Sequence, residues 1–123
     1  MKIATQVAIR RATPNDVVQL TELVEQYRDF YRQERDDKTN QYLIDRISKN
    51  ESVIFVAEID GLLVGFTQCY PTFSTLSLSG IWLLNDLFVD PAYRGQHIAD
   101  QLMQSTEAAA QNSGATRIWL RTA

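Results

Sequence analysis

The stretch from 84 to 103 constrains this chain more than any other. Leu84-Asn85-Asp86-Leu87-Phe88-Val89 reads as a strand, Asp90-Pro91-Ala92-Tyr93 as a turn, and Ile98 onward as a helix. Gly95 and Ala99 stand where the backbone must stay open to something outside it. A helix start exposes unpaired N–H groups and the positive end of the peptide dipoles, so phosphate is the expected visitor. Two rival phosphate patterns are absent: no Gly-x-Gly-x-x-Gly follows a strand, and there is no Gly-Lys-Ser/Thr.

A length of 123 residues fits one domain spanning 1–123. With 45% hydrophobic and 22% charged residues the composition is that of a globular protein. The net charge of −3, with no cluster of Lys and Arg, argues against a nucleic-acid partner. One Cys, Cys69, and one His, His97, give neither an internal disulfide nor a Cys/His metal cluster, so no metal is expected. The amino end lacks an apolar core of signal-peptide length and no apolar run reaches membrane-spanning length. Cytoplasmic residence and no membrane partner are the expectation.

Val7-Ala8-Ile9-Arg10-Arg11 alternates as a first strand. Thr13-Pro14-Asn15-Asp16 supplies a cap, a proline at the first helical position and an acid three residues after the cap. Val17, Leu20, Leu23, Val24, Tyr27, Phe30 and Tyr31 recur at helical spacing, predicting a helix that ends near Arg32. The charged run 34–38 reads as a solvated loop, or as an acidic rim through Asp36 and Asp37 that draws in an amine. A short helix is expected over 40–48. Val53 to Ile59 and Leu62 to Tyr70 form a hairpin about Asp60-Gly61, with Pro71 ending regular pairing and 73–80 a connection. A strand from Ile81, a helix with inner face Ile98, Leu102, Met103, Thr106, Ala109 and Ala110, a Gly114 cap and a strand over 116–121 complete the chain. The last strand should lie parallel to its predecessor, since a helix joins them. The order β-α-α-β-β-β-α-β is an α+β (mixed α/β) fold with about five strands.

The motif strand, Asp90-Pro91-Ala92-Tyr93 and the following Arg94-Gly95-Gln96-His97-Ile98-Ala99 resemble the signature of the GCN5-related N-acetyltransferase (GNAT) superfamily, and the element order resembles it over the whole chain. The resemblance implies that the backbone of Leu87 and Val89 holds the pantetheine arm of acetyl-CoA, with Phe88 among the cofactor-binding residues. It implies that amides from Arg94, Gly95, Gln96, His97, Ile98 and Ala99 bind the pyrophosphate. Transfer would then be direct attack of an amine, with no metal required and with strand N–H groups near Val89 polarising the thioester carbonyl. The implied acceptor is a small-molecule primary amine; the alternative function is a CoA-binding or regulatory domain without turnover.

Asp86 is the carboxylate on the motif strand, with either a catalytic or a backbone-bonding role. In similar polyamine-type members an acid often stands at the position of Asn85, which could instead position a water. Tyr27, Phe30, Tyr31 and Tyr70 could line an acceptor site or the core, and Trp82 and Trp119 read as packing residues. Where the family has its second glycine this chain has His97, which either obstructs phosphate or, protonated, adds a contact to it. Family members also continue past the strand ending at Arg121 into a helix and two more strands, one often carrying a tyrosine that protonates the thiolate. With Ala123 the last residue, the expectation is a short member, a fragment, or a sheet edge completed by a second copy in a homodimer.

Overall fold

Asp60 and Gly61 both take positive φ, 49° and 82°, the turn that matches the twist of a two-residue hairpin. That hairpin seeds a five-stranded sheet in the computed structural model, which describes residues 6–120. Residues 1–5 of the amino end and Arg121 of the expected last strand lie outside the described residues.

The elements are β1 (Ala8–Arg11), α1 (Val17–Phe30), α2 (Thr39–Ser48), β2 (Val53–Ile59), β3 (Leu62–Ser74), β4 (Ser79–Val89), α3 (Ile98–Asn112) and β5 (Ile118–Leu120). They follow the expected α+β order. Strand order is β1-β2-β3-β4-β5, antiparallel up to β4 and parallel between β4 and β5. Helices α1 and α2 cover one face, burying Leu20, Leu23 and Leu43 against Ile54, Val56 and Phe66. Helix α3 covers the other, setting Ile98 and Leu102 on Ala57, Val64 and Val89. Among the described residues no helix is long and apolar enough to cross a membrane.

Several boundaries differ from the sequence expectation, among them the start of β5, at Ile118 instead of Thr116. Helix α1 stops at Phe30, two residues early, because Arg32 turns left-handed at φ 60°. Strand β3 runs on through Pro71 to Ser74, and β4 begins at Ser79. Pro71 opposes Trp82, whose own N–H donates to Arg117 O across the other ladder at 3.0 Å. Pro71 therefore sits where β4 asks for no donor, and β2 has already ended opposite Cys69. Trp119, expected as packing, is 46% exposed on the edge strand, whereas Trp82 is buried.

A β-bulge at Asn85 sets the facing of the end of β4. Cys69 pairs with Leu84 and Gln68 with Asp86, leaving Asn85 without an opposite number. Because side chains alternate across a strand, the extra residue moves Asp86 and Phe88 to the α1–α2 face and Leu87 and Val89 to the α3 face.

Two outcomes test this packing. A Cβ at Gly65 would stand 3.1 Å from Phe88 O, 3.2 Å from Leu102 Cδ1 and 3.3 Å from Val89 Cγ2. Gly65→Ala should destabilise by about 1–3 kcal/mol in denaturant unfolding. Arg10 holds Asp16 bidentately at 2.8 Å and 2.8 Å, and this hydrogen bonding lowers the Asp16 carboxyl to about 2 from 3.8. A depressed folded-state pKa means the contribution is complete above pH 3.8 and is lost as pH falls toward 2. The wild-type protein should therefore lose stability through that window more steeply than Asp16→Asn, read by unfolding at each pH.

Candidate active site

Beyond the bulge, the ladder decides which backbone groups are free. Asp90 N–H donates to Val64 O at 2.8 Å, so by alternation Phe88 and Asp86 direct their backbone groups at β3. Leu87 and Val89 direct theirs the other way, where pairing with β5 ends at Leu84 opposite Leu120 among the described residues. The outward N–H and C=O of Leu87 and the N–H of Val89 are thus open to a strand-like ligand, whereas Val89 O accepts from Arg94 Nε at 3.0 Å. Phe88 directs its backbone at β3 and lines the cavity beside it.

The turn after β4 is fixed locally. Asp90 Oδ1 accepts from Ala92 N–H at 2.9 Å, and Arg94 Nε donates to Val89 O at 3.0 Å, tying the turn to the strand end. Gly95 and His97 then take φ of 81° and 61° before α3 begins. Two left-handed residues curl the chain so that the N–H groups of Gly95, Gln96 and His97 find no acceptor among the described residues. Those of Ile98 and Ala99, in the first helical turn, lack an intrahelical partner. This donor set fits a diphosphate. Arg94 differs from the expectation: its amide points back to Pro91 O at 3.5 Å, so the cradle starts at Gly95. The Arg94 guanidinium instead lies over the Phe88 and Phe30 rings, 5.5 Å and 5.7 Å from their centroids. The exposed Gln96 side chain does not line the cavity.

This first cavity, of 420 Å³, runs from Leu87 and Val89 past Arg94 and Gly95 to Ala99, with Tyr27, Phe30 and Tyr31 across from them. A second, of 300 Å³, opens between the sheet and α1–α2. On its sheet side stand Asn85, Asp86, Gln68 and Tyr70. Asp86 Oδ1 accepts from Asn85 Nδ2 at 3.1 Å and Oδ2 from Gln68 Nε2 at 2.9 Å. The Tyr70 and Tyr42 hydroxyls meet at 2.6 Å, and burial pushes the Tyr70 phenol up.

Tyr27 lines both cavities, its ring edge-on to Phe66 and Phe88 at 5.6 Å and 5.7 Å. Burial, then the nearby Asp86 charge, pushes its phenol up and keeps it protonated. Burial also raises the Cys69 thiol to about 12, and Cys69 lines neither cavity. Of the charged run, Asp36 reaches the second cavity, Asp37 faces a different depression and Glu34 reaches neither cavity. Sequence reasoning missed Gln68, Tyr42 and Arg28 at the second cavity. Gln68 had a signal, a large amide inside an apolar strand; the other two became visible only when α1 and α2 met the sheet.

A sheet opened beside β4, with a helix-start amide cradle on one side and a carboxylate-bearing cavity on the other, defines an acyl-CoA N-acyltransferase fold. The chain belongs to the acetyltransferase (GNAT) family, whose model matches residues 20–123. It is 41% identical over 115 residues to the uncharacterized N-acetyltransferase YhfO of Bacillus subtilis, covering 93% of this chain and 77% of that protein. The crystal structure of a probable acetyltransferase superposes with a TM-score of 0.89 at 36% identity, over 94% of this chain and 79% of that one. The aminoglycoside N-acetyltransferase AAC(6')-Iy in complex with CoA shares the fold at 18% identity, TM-score 0.83, over 100% of this chain and 81% of that one. Enzymes of this family draw their acetyl group from acetyl-CoA.

His97 carries its Cβ in the left-handed region at the mouth of the cradle, with a side chain 85% exposed. His97→Gly should relieve strain of about 1–2 kcal/mol and remove an obstruction to phosphate. CoA affinity by calorimetry should tighten about threefold or more; unchanged or weaker binding would contradict the steric account.

Proposed function

We propose that this chain is an acetyl-CoA-dependent N-acetyltransferase acting on a small-molecule primary amine. One observation carries the reading: the cavity with the free amides and the cavity with Asp86 meet at Tyr27, beside the outward backbone of β4. Two substrates bound there would have their reactive ends side by side, the arrangement direct transfer requires.

In this reading the outward N–H and C=O groups of Leu87 hold the pantetheine arm, while Val89, its C=O already accepting from Arg94 Nε, offers its N–H. The amides of Gly95, Gln96, His97, Ile98 and Ala99 hold the diphosphate, while Phe88 and Arg94 line the wall. Acetyl-CoA supplies an activated acetyl group at the junction. Asp86, held by Asn85 and Gln68, accepts a proton from the incoming ammonium, so that a neutral amine lone pair forms the new C–N bond. Asn85 acts by positioning Asp86. The Val89 N–H stabilises charge on the carbonyl oxygen as the C–S bond breaks. As the C–S bond breaks, the second proton on the acylated nitrogen passes to the departing CoA thiolate, which leaves as the free thiol, and the Asp86 proton returns to solvent. Acetyl-CoA is an intracellular co-substrate, which puts the activity in the cytoplasm.

Release of free thiol from acetyl-CoA in the presence of amines tests the reading. Thiol release should require an amine, and Asp86→Asn should lower kcat by about 10²–10⁴-fold, with CoA affinity retained in calorimetry. CoA binding with no thiol release across a broad amine panel would favour the regulatory alternative.

A further inference from the structure

The second cavity carries a carboxylate on its sheet side and an excess of cations on its helical side. From the sheet come Asp86 and Gln68; Gln68 is 4% exposed, and its Oε1 has no hydrogen-bond partner among the described residues. The Gln68 orientation follows from chemistry, since Nε2 must face the Asp86 carboxylate it donates to at 2.9 Å. That leaves a buried carbonyl oxygen lacking a donor, next to a carboxylate, which is the environment an ammonium group would complete.

From the helical layer come Arg28 and Lys38. Arg28 Nη2 donates to Glu34 O at 3.1 Å, but its buried Nε makes no hydrogen bond and lies 3.8 Å from Glu25 Oε1. Glu25 is itself engaged by Thr39 Oγ1 and by the Asp36 N–H at 3.1 Å. Lys38 forms no ion pair within 4.0 Å among the described residues. Asp36, the remaining acid of this lining, turns Oδ1 to the Lys38 backbone N–H at 2.9 Å. The lining of this wall carries two cations, Arg28 and Lys38, against one carboxylate, Asp36, so a second ammonium is less well matched there than an anion that reaches Lys38 and the unbonded Arg28 Nε.

Resting on the acetyltransferase reading, we propose that the acceptor is a zwitterion of amino-acid type. Its ammonium lies against Asp86 and Gln68 Oε1, and its carboxylate against Arg28 and Lys38. The volume of 300 Å³ is at the small end of ligand sites, roughly 300–1,000 Å³, which suits a single small metabolite.

The test compares kcat/KM for acetylation by the full chain across three probe types: L-amino acids, their neutral amides and 1,4-diaminobutane. At least one acid should exceed its own amide by about tenfold or more, with the diamine poorer than either. Arg28→Gln and Lys38→Gln should each shrink that acid-to-amide ratio; Lys38, exposed at the rim, keeps the comparison available if the Arg28 variant folds poorly. Amides or diamine acetylated as well as the acids, or a ratio unmoved in the folded variants, overturns the zwitterion while leaving amine acetylation standing. Absence of thiol release with every probe, despite CoA binding, overturns both.

Discussion

One additional residue in β4 governs the functional half of this molecule. Without the bulge at Asn85, Asp86 would share a face with Leu84 and be pressed against α3, and Phe88 would follow it. With it, the carboxylate looks into the space beneath α1 and α2, and the backbone of Leu87 and Val89 looks away from β3. A ladder defect therefore sets the side-chain faces and the free main-chain edge together. Asn85 suits the position twice over, as a poor strand former where regular pairing lapses and as the donor that steadies Asp86.

Around that defect the scaffold is ordinary close packing. Phe66, Leu20, Leu23 and Leu43 lock α1 and α2 onto the sheet, while Gly65 lets α3 press close enough for Leu102 to reach β3. The Arg10–Asp16–Glu58 cluster pins the start of α1 to β1 and β2. Its effect on the site is indirect but real, since α1 carries Tyr27 and Arg28 and its placement fixes their reach. Packing of the Tyr27 ring against two phenylalanines fixes it where the cavities meet.

Much of this architecture was legible in the residues. Hydrophobic spacing located the three α-helices and five strands of the described residues, and Asp60-Gly61 identified its turn because few residues accept two positive φ values in a row. The run of unspent amides before α3 was legible in kind, since Pro91, Gly95 and a following helix leave donors without partners; the loss of the Arg94 amide to Pro91 O depends on a turn geometry that spacing does not encode. Strand register was not legible. Pro71 looked like a terminator because its harmlessness depends on which edge of β3 is unpaired, a tertiary fact. The orientation of Asp86 likewise needed the bulge, which shifts a period-two pattern by one residue and leaves only Asn85-Asp86 as a trace. The second cavity gathers residues from Val24 to Asp86, and nothing local joins Arg28 to Gln68.

The seclusion of Cys69 has a consequence for the order of events. Its sulfur is sealed inside the sheet, and burial keeps it a thiol, so it cannot serve as a way station for an acetyl group. With that relay closed, the proposed direct transfer requires donor and recipient at the same moment, and the group crosses in one hand-to-hand exchange. Such an enzyme works through a ternary complex, and its initial-rate lines converge instead of running parallel.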